Sequence, residues 1–212
     1  MKAIIFDLDG TIVFSHPTHF AAYEELFGEF GIKWNYEEFN NVFAGTGAPV
    51  IIKNLLTRHG ITDFDLAVLV KKKRDIFNRI LENNKLKTVP GFFEFLKILN
   101  ERGIKKIIAS GSNRENIKHM LINIGAESEF PLYISGEDVK NPKPAPDIFL
   151  AAAEKIGVTP RQCAVIEDTT HGVIGAKAAH MKAIALTTTC DRNVLASAGA
   201  DMIVENYLKL RI

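Results

Sequence analysis

Ala3-Ile4-Ile5-Phe6-Asp7-Leu8-Asp9-Gly10-Thr11 is the stretch on which the fold turns. Its apolar start is too short for a helix and is closed by a glycine turn, so Ala3–Phe6 reads as a buried parallel strand. Asp7 and Asp9 then stand at the strand's C-terminal mouth, where open α/β sheets bind ligands. Alternation lets both acids face one crevice while Leu8 packs the other way. At about 4 Å two such charges repel by ~4 kcal/mol at an effective dielectric near 20, so the pair needs a cation, a proton, or both. An Asp-x-Asp alone is weak evidence, because acidic pairs also cap helices and decorate turns. The rest of the chain has to supply hydroxyl and backbone donors, a lysine and further acid.

The 212 residues are 47% hydrophobic and 24% charged, enough for one sizeable core or a core carrying a smaller domain. Formal net charge is +1 and no long basic tract is present, which leaves no electrostatic footprint for nucleic acid. Lys71-Lys72-Lys73-Arg74, the dense basic run, lies on a helical pattern and reads as a solvated face. Cys163 and Cys190 are too few for a disulfide framework, which suits a reducing cytosol. Met1-Lys2 leads straight into the strand, so no signal peptide fits, and no apolar run reaches the length of a membrane span. The expectation is a cytoplasmic enzyme or binding protein, a monomer by default, with neither membrane nor nucleic acid as partner.

Downstream of Thr11 the periodicity becomes helical. Pro17 opens a helix to about residue 30 with Gly31 as its stop, and further helical patterns cover residues 36–43, 48–58 and 63–83. Strands and helices alternate only from about Lys87 onward. The simplest organisation is an all-helical insert, about residues 15–85, within an α/β domain made of residues 1–14 and 86–212. In that domain Pro90-Gly91 open a helix closed by Gly103, and a strand at 106–109 leads to Ser110-Gly111-Ser112-Asn113. A helix at 114–124 and a short strand at 132–134 follow. Pro142, Pro144 and Pro146 force an extended loop around Lys143, left by a helix over 147–156. A buried strand at 163–166 delivers Glu167-Asp168, and a small-residue helix spans 172–179. Strands at 182–186 and 201–204 are expected at the sheet edges.

Asp7 with Asp9, Ser110 with its glycine turn, and Glu167 with Asp168 thus all fall at strand ends, and Lys143 joins them from the proline loop. The four carboxylates are countered by Lys143 and a divalent ion, and a proton on Asp9 brings the site near neutrality. A phosphate dianion would meet Lys143, the metal, the Ser110 hydroxyl and the free N–H groups of the Gly111 turn and the following helix. Oxygen-only ligands favour Mg²⁺ over zinc, since no His or Cys cluster accompanies them. A carboxylate nucleophile beside a second acid suits stepwise phosphoryl transfer. Asp7 attacks phosphorus to give an acyl phosphate, while Asp9 protonates the departing alkoxide and later takes a proton from water. No Ser–His–Asp triad fits, because Gly111-Ser112 lacks the nucleophile-elbow pattern.

Asp7-Leu8-Asp9-Gly10-Thr11, Ser110, Lys143 in Lys143-Pro144-Ala145-Pro146-Asp147, and Glu167-Asp168 resemble, in order, the four motifs of the haloacid dehalogenase superfamily. Over nearly its full length the chain is similar to phosphatases of that superfamily with a helical cap of the first type. The resemblance implies a Rossmann-like core, a parallel sheet with helices on both faces, and an inserted helical cap over residues 15–85. It implies Asp7 as nucleophile and Asp9 as acid and base. Mg²⁺ would be held by the Asp7 side chain, the Asp9 backbone carbonyl and Asp168, with Glu167 either a ligand or an outer partner. Residues 10–16 would form a moving flap, with hinges near residues 12–17 and 84–88 closing the cap over substrate.

Asp9 argues against dehalogenases and phosphonate hydrolases of the superfamily, which replace the second acid. The β-phosphoglucomutase group holds a second phosphate with a Lys-Gly-x-x-Arg pattern, and here that stretch is Ala44-Gly45-Thr46-Gly47-Ala48. The run from Gly45 to Val50, and Thr11, instead resemble phosphoglycolate-type phosphatases. His19 resembles a cap-hinge histidine shared by mutases and some sugar phosphatases, which leaves a substrate-gating role open. The expected function is a Mg²⁺-dependent phosphatase of a small phosphorylated metabolite, phosphoglycolate or a sugar phosphate. A β-phosphoglucomutase-like mutase and a non-catalytic phosphate-binding regulatory module are the alternatives. His16 reads as a solvated helix-start residue, His171 as a hydrogen-bonding spacer, His119 and His180 as surface or packing residues, and Lys53 and Arg58 as facing water.

Overall fold

The computed structural model describes residues 1–43 and 46–211. Six strands, β1 (Ala3–Phe6), β2 (Lys105–Ser110), β3 (Tyr133–Ser135), β4 (Cys163–Glu167), β5 (Lys182–Leu186) and β6 (Met202–Val204), form one parallel sheet in the order β3-β2-β1-β4-β5-β6. Every residue of β1 is fully buried, as a strand with parallel neighbours on both sides must be. The chain builds outward from β1 to β3 on one side, then restarts at β4 on the other. The crevice at the carboxyl ends of β1 and β4 is therefore the topological switch point. Register decides what emerges there. Phe6 lies opposite Ile108 and Ile166, so Asp7, Ser110 and the Glu167-Asp168 pair leave the sheet at its same rim.

β5 departs from the expectation of an edge strand. It lies between β4 and β6, and its residues Ala183, Ile184, Ala185 and Leu186 are buried. The edges are instead the three-residue strands β3 and β6, where little ladder is left unpaired.

Strand alternation divides the core into two layers. Ile4 and Phe6 point to the face covered by α5 (Phe92–Glu101) and α6 (Arg114–Ile124), whereas Ala3 and Ile5 meet α7 (Asp147–Lys155) and α8 (Thr170–Ala178). Phe6 sits edge-on to Phe92, Phe95 and Phe130, with ring centroids 6.2, 6.2 and 5.6 Å away. A last short helix, α9 (Arg192–Ser197), joins β5 to β6.

Between β1 and α5 the described residues make helices and no strand: α1 (His16–Gly28), α2 (Tyr36–Glu38) running on into a helical turn to Phe43, α3 (Ala48–Arg58) and α4 (Leu66–Asn83). Both α1 and α3 pack on α4. Asp65 sets the start of α4 later than residue 63, because its carboxylate caps the N–H groups of Ala67 and Val68 at 2.9 and 3.1 Å. The chain enters and leaves this insert along paired segments. Phe14 N–H donates to the Lys87 carbonyl and Val89 N–H to the Ile12 carbonyl, both at 2.9 Å. Among the described residues no helix is long and apolar enough to cross a membrane.

Replacing Phe6 with Ala should cost about 3–5 kcal/mol of unfolding free energy, read as a lower urea midpoint at unchanged m-value. A loss under about 1 kcal/mol would contradict the central packing role of this ring.

Candidate active site

Lys143 reaches the tip of β1 from the proline loop ahead of α7. Its ammonium donates to Asp7 Oδ1 at 2.6 Å, to Glu167 Oε1 at 2.7 Å and to the Ala109 carbonyl at 3.2 Å, which ties the ends of β1, β2 and β4 to one group. The lysine side chain is 6% exposed and the carboxylates 8% and 1%, so solvent screens the pair little. Burial alone would lower the Lys143 pKa, and the two carboxylates overcome it and raise it above the usual range. Oε2 of Glu167 accepts from the Asp168 N–H at 2.9 Å, the Thr169 N–H at 3.0 Å and the Thr169 hydroxyl at 2.9 Å. Against the upward push of burial, Lys143 and these donors hold Glu167 below the usual carboxylate range. Only glycine fits beneath it, since a Cβ at Gly172 would lie 1.8 Å from the Glu167 carboxyl carbon.

Asp168 is fully buried. Oδ1 accepts from the Thr11 hydroxyl at 2.8 Å, and Oδ2 has no partner among the described residues. Burial, then the charge of Glu167, pushes its pKa up to about 8. Gly10, at φ +76°, leaves room for it, because a Cβ there would stand 2.0 Å from Oδ2. Asp7 is likewise pushed well above the usual range by burial and by Glu167, Asp168 and Asp9, despite Lys143. Among the described residues no three His, Cys, Asp or Glu side chains form a ready-made metal cage. Mg²⁺ does not require one, since it takes one or two carboxylates and completes its shell with water and phosphate oxygens. The orphaned Asp168 oxygen and the cation-deficient Asp7 suit such an ion, whereas Glu167 is committed within the protein on both oxygens.

Asp9 accepts from the hydroxyls of Ser15, Ser112 at 2.7 Å and Ser110 at 3.4 Å, and His19 Nε2 lies 3.0 Å from Oδ1. Burial works to raise its pKa, but His19 and the hydrogen bonds from His19 and Ser15 outweigh it and hold Asp9 low. The expected proton on Asp9 is therefore not where the fold favours one. Asp7 and Asp168, poorer in donors, have the raised proton affinity.

His19 stacks on Phe77 with centroids 4.1 Å apart, and its Nδ1 is 2.6 Å from Lys73 Nζ. Burial and the Lys73 charge push its pKa down to about 4, which fits a neutral ring donating from Nε2 to Asp9 and accepting at Nδ1. Lys73 corrects the reading of the basic run as a solvated face. Lys71 and Lys72 are exposed and paired with Asp75 and Glu29, but Lys73 is 3% exposed, with its ammonium over the rings of Tyr23 and Phe77. Burial brings its pKa down to about 7. The missed signal is spacing, since Leu69, Lys73, Ile76 and Phe77 share the buried stripe of α4.

These groups open on a cavity of about 430 Å³ lined by Asp7, Asp9, Gly111, Lys143 and Glu167 from the core, and by His16, His19 and Lys73 from the insert. His16 is buried at 8% exposure rather than solvated, because the start of α1 faces this cavity. His171 does not line it, His180 and Lys53 are exposed, and Arg58 pairs with Glu38 at 2.7 Å. Ser110 is buried behind the wall, its hydroxyl accepting from the Ser112 N–H at 3.1 Å. Ser112, which sequence reasoning passed over, makes the shorter contact to Asp9. Of the stretch from Ala44 to Ala48, Thr46, Gly47 and Ala48 line the cavity, and Ala44 and Gly45 lie outside the described residues.

The model of the haloacid dehalogenase-like hydrolases matches residues 1–180. A phosphorylated carbohydrates phosphatase of Thermotoga maritima is 29% identical over 211 residues, covering 97% of this chain and 94% of that protein. The fructose-1-phosphate phosphatase YqaB of Escherichia coli is 30% identical over 182 residues, covering 85% and 94%. Protein SUPPRESSOR OF QUENCHING 1, chloroplastic, of Arabidopsis thaliana is 31% identical along the whole chain, which spans 20% of that protein's length. Among solved structures, a HAD hydrolase of family IA, variant 3, from Entamoeba histolytica superposes with a TM-score of 0.89 at 26% identity, covering 100% of this chain and 96% of that one. With a family model matched over most of its length and the motif acids gathered at the sheet's switch point, the chain belongs to the haloacid dehalogenase-like hydrolases.

Proposed function

We propose that this chain is a Mg²⁺-dependent phosphatase of small phosphorylated sugars that works through an aspartyl phosphate on Asp7. The observation that carries this reading is Lys143 clamped between Asp7 and Glu167, with Asp9 held by separate donors in the same cavity. The sugar-phosphate substrates named for the Thermotoga and Escherichia relatives support the substrate class. The helical insert, residues 15–85, acts as a cap over that cavity, hinged where residues 12–14 and 87–89 pair. The two free cysteines fit a reducing cytoplasm.

In the first half-reaction an Asp7 oxygen bonds to phosphorus as the bond to the sugar oxygen breaks, and the departing alkoxide takes a proton from Asp9. Asp9 gains that proton when the phosphate dianion arrives beside it, since a like charge raises a carboxyl's proton affinity. In the second half water attacks phosphorus, Asp9 takes the water proton, and Asp7 is regenerated as inorganic phosphate leaves. The ionised Asp9 held by Ser15, Ser112 and His19 is the form this second half needs. Lys143 and the Gly111 turn hold the phosphoryl oxygens, and Glu167 positions Lys143 rather than the metal. The buried Ser110 hydroxyl orders that turn by accepting from the Ser112 N–H rather than meeting the phosphate as expected. Asp7, Asp168 and the Asp9 carbonyl would hold Mg²⁺, which when bound offsets carboxylate and phosphate charge. A sugar phosphomutase is the second reading, favoured by Lys73, a buried cation on the cavity wall that suits a second phosphate.

Asp7→Asn should reduce phosphate release from sugar phosphates by about a thousandfold or more with an unchanged circular dichroism spectrum. Equal rates for variant and wild type would end the enzyme reading. Conversion of a sugar phosphate to its isomer without phosphate release would favour the mutase.

The Asp168 carboxyl, raised from an ordinary 3.8 to about 8, binds its proton more tightly in the folded chain than in the unfolded one. Its contribution to stability is full below the unfolded value and is lost as pH climbs toward 8. A bound cation removes that loss. The rise in melting temperature produced by Mg²⁺ should therefore be larger at about pH 8 than at about pH 6. No effect of Mg²⁺ at either pH would contradict the metal assignment.

A further inference from the structure

We infer that Asn116 is the residue of the core that reads hydroxyl groups on the substrate's carbon chain. This rests on the phosphatase reading above and narrows it, favouring polyhydroxylated phosphate esters over short carboxylated ones such as phosphoglycolate. Asn116 lies in the first turn of α6 and is 3% exposed. Its Oδ1 is buried with no partner among the described residues, and its side-chain amide makes no hydrogen bond there either. Its backbone, by contrast, is anchored, since the Asn113 side chain accepts from the Asn116 N–H at 2.8 Å.

A buried amide left unpaired costs about 1–3 kcal/mol, so folded proteins seldom keep one without a protein, water or ligand partner. Asn116 stands where such a partner would come from. It lines the same cavity as Asp7 and Lys143, on the segment that also supplies Ser112 to Asp9. The insert walls that cavity in part with Phe43, Pro49, Val50, Ile51 and Val70, whose side chains offer a substrate no hydrogen bonds. It also contributes His16, His19, Tyr23, Thr46 and Lys73, of which His19 is engaged with Asp9, Lys73 with His19, and Thr46 with the Phe43 carbonyl. Polar selection of the non-phosphate part therefore falls to few groups. An amide presents an acceptor and donors together, the match for an alcohol, and it brings no charge to hold a carboxylate or a second phosphate.

The test compares the wild-type chain with Asn116→Ala and Asn116→Leu in the presence of Mg²⁺. Substrates are ribose 5-phosphate against 2-deoxyribose 5-phosphate, glucose 6-phosphate against 2-deoxyglucose 6-phosphate, and p-nitrophenyl phosphate as an ester without alcohol groups. Wild type should favour at least one hydroxylated sugar over its deoxy partner by about tenfold in kcat/KM, and both variants should lose that preference. Turnover of p-nitrophenyl phosphate should stay within about twofold, and Asn116→Leu should melt no lower than wild type because no internal hydrogen bond is removed. Preference retained in the variants, its absence from wild type, or an equal fall on every substrate together with a lower melting temperature would each overturn the assignment of Asn116. Hydrolysis of p-nitrophenyl phosphate by wild type separates such a failure from that of the phosphatase reading, because a wild type inert toward every ester overturns both.

Discussion

One ammonium group holds the active-site end of this molecule together. Lys143 bridges Asp7 and Glu167 with almost no solvent to screen it, and its third contact is the carbonyl of Ala109. Without that charge, two buried carboxylates would face each other across the tips of β1 and β4. Leaving one buried charge uncompensated costs several kcal/mol, so removal of Lys143 disorganises both partners rather than weakening one contact. Much of the surrounding sequence serves this arrangement. Parallel register brings the strand tips level, the proline loop fixes the lysine's approach, and Gly172 clears the space beneath Glu167.

Charge compensation is incomplete without a ligand, and the imbalance is organised. Asp9 is surrounded by donors, whereas Asp7 has Lys143 and Asp168 has the Thr11 hydroxyl, and one Asp168 oxygen has no partner among the described residues. In the proposed mechanism this leaves one acid ionised for proton transfer and two others short of positive charge. A divalent cation and a phosphate resolve opposite halves of that imbalance, which is why the site is read as built for both together.

The parts of this design set by local chain physics were legible in the residues. A short apolar run ending in two acids read as a buried strand at a ligand crevice, and Glu167-Asp168 after a second such run strengthened a signal that was weak alone. The prolines around Lys143 made the loop unavoidable. What escaped depends on packing between distant segments. β5 read as an edge because nothing in its five residues announces that Met202–Val204 will pair outside it. Lys73 was hidden in a cluster of like residues, although its spacing from Leu69 and Phe77 placed it on the buried stripe. His16 seemed a solvated helix start, and only the way α1 meets the cavity buries it. The protonation pattern was out of reach because it depends on how the turn after Asp9 folds Ser15 and His19 back onto it and on Ser112 arriving from a distant segment.

The central claim is that Asp7, set between Lys143 and an unmet demand for a cation, is the group that accepts the phosphoryl. Quenching the turning-over enzyme in acid and mapping its peptides by mass spectrometry tests this most directly. The account predicts one added phosphoryl group on the peptide containing Asp7, labile to hydroxylamine as an acyl phosphate is. A phosphoryl group on any other residue during turnover would contradict it.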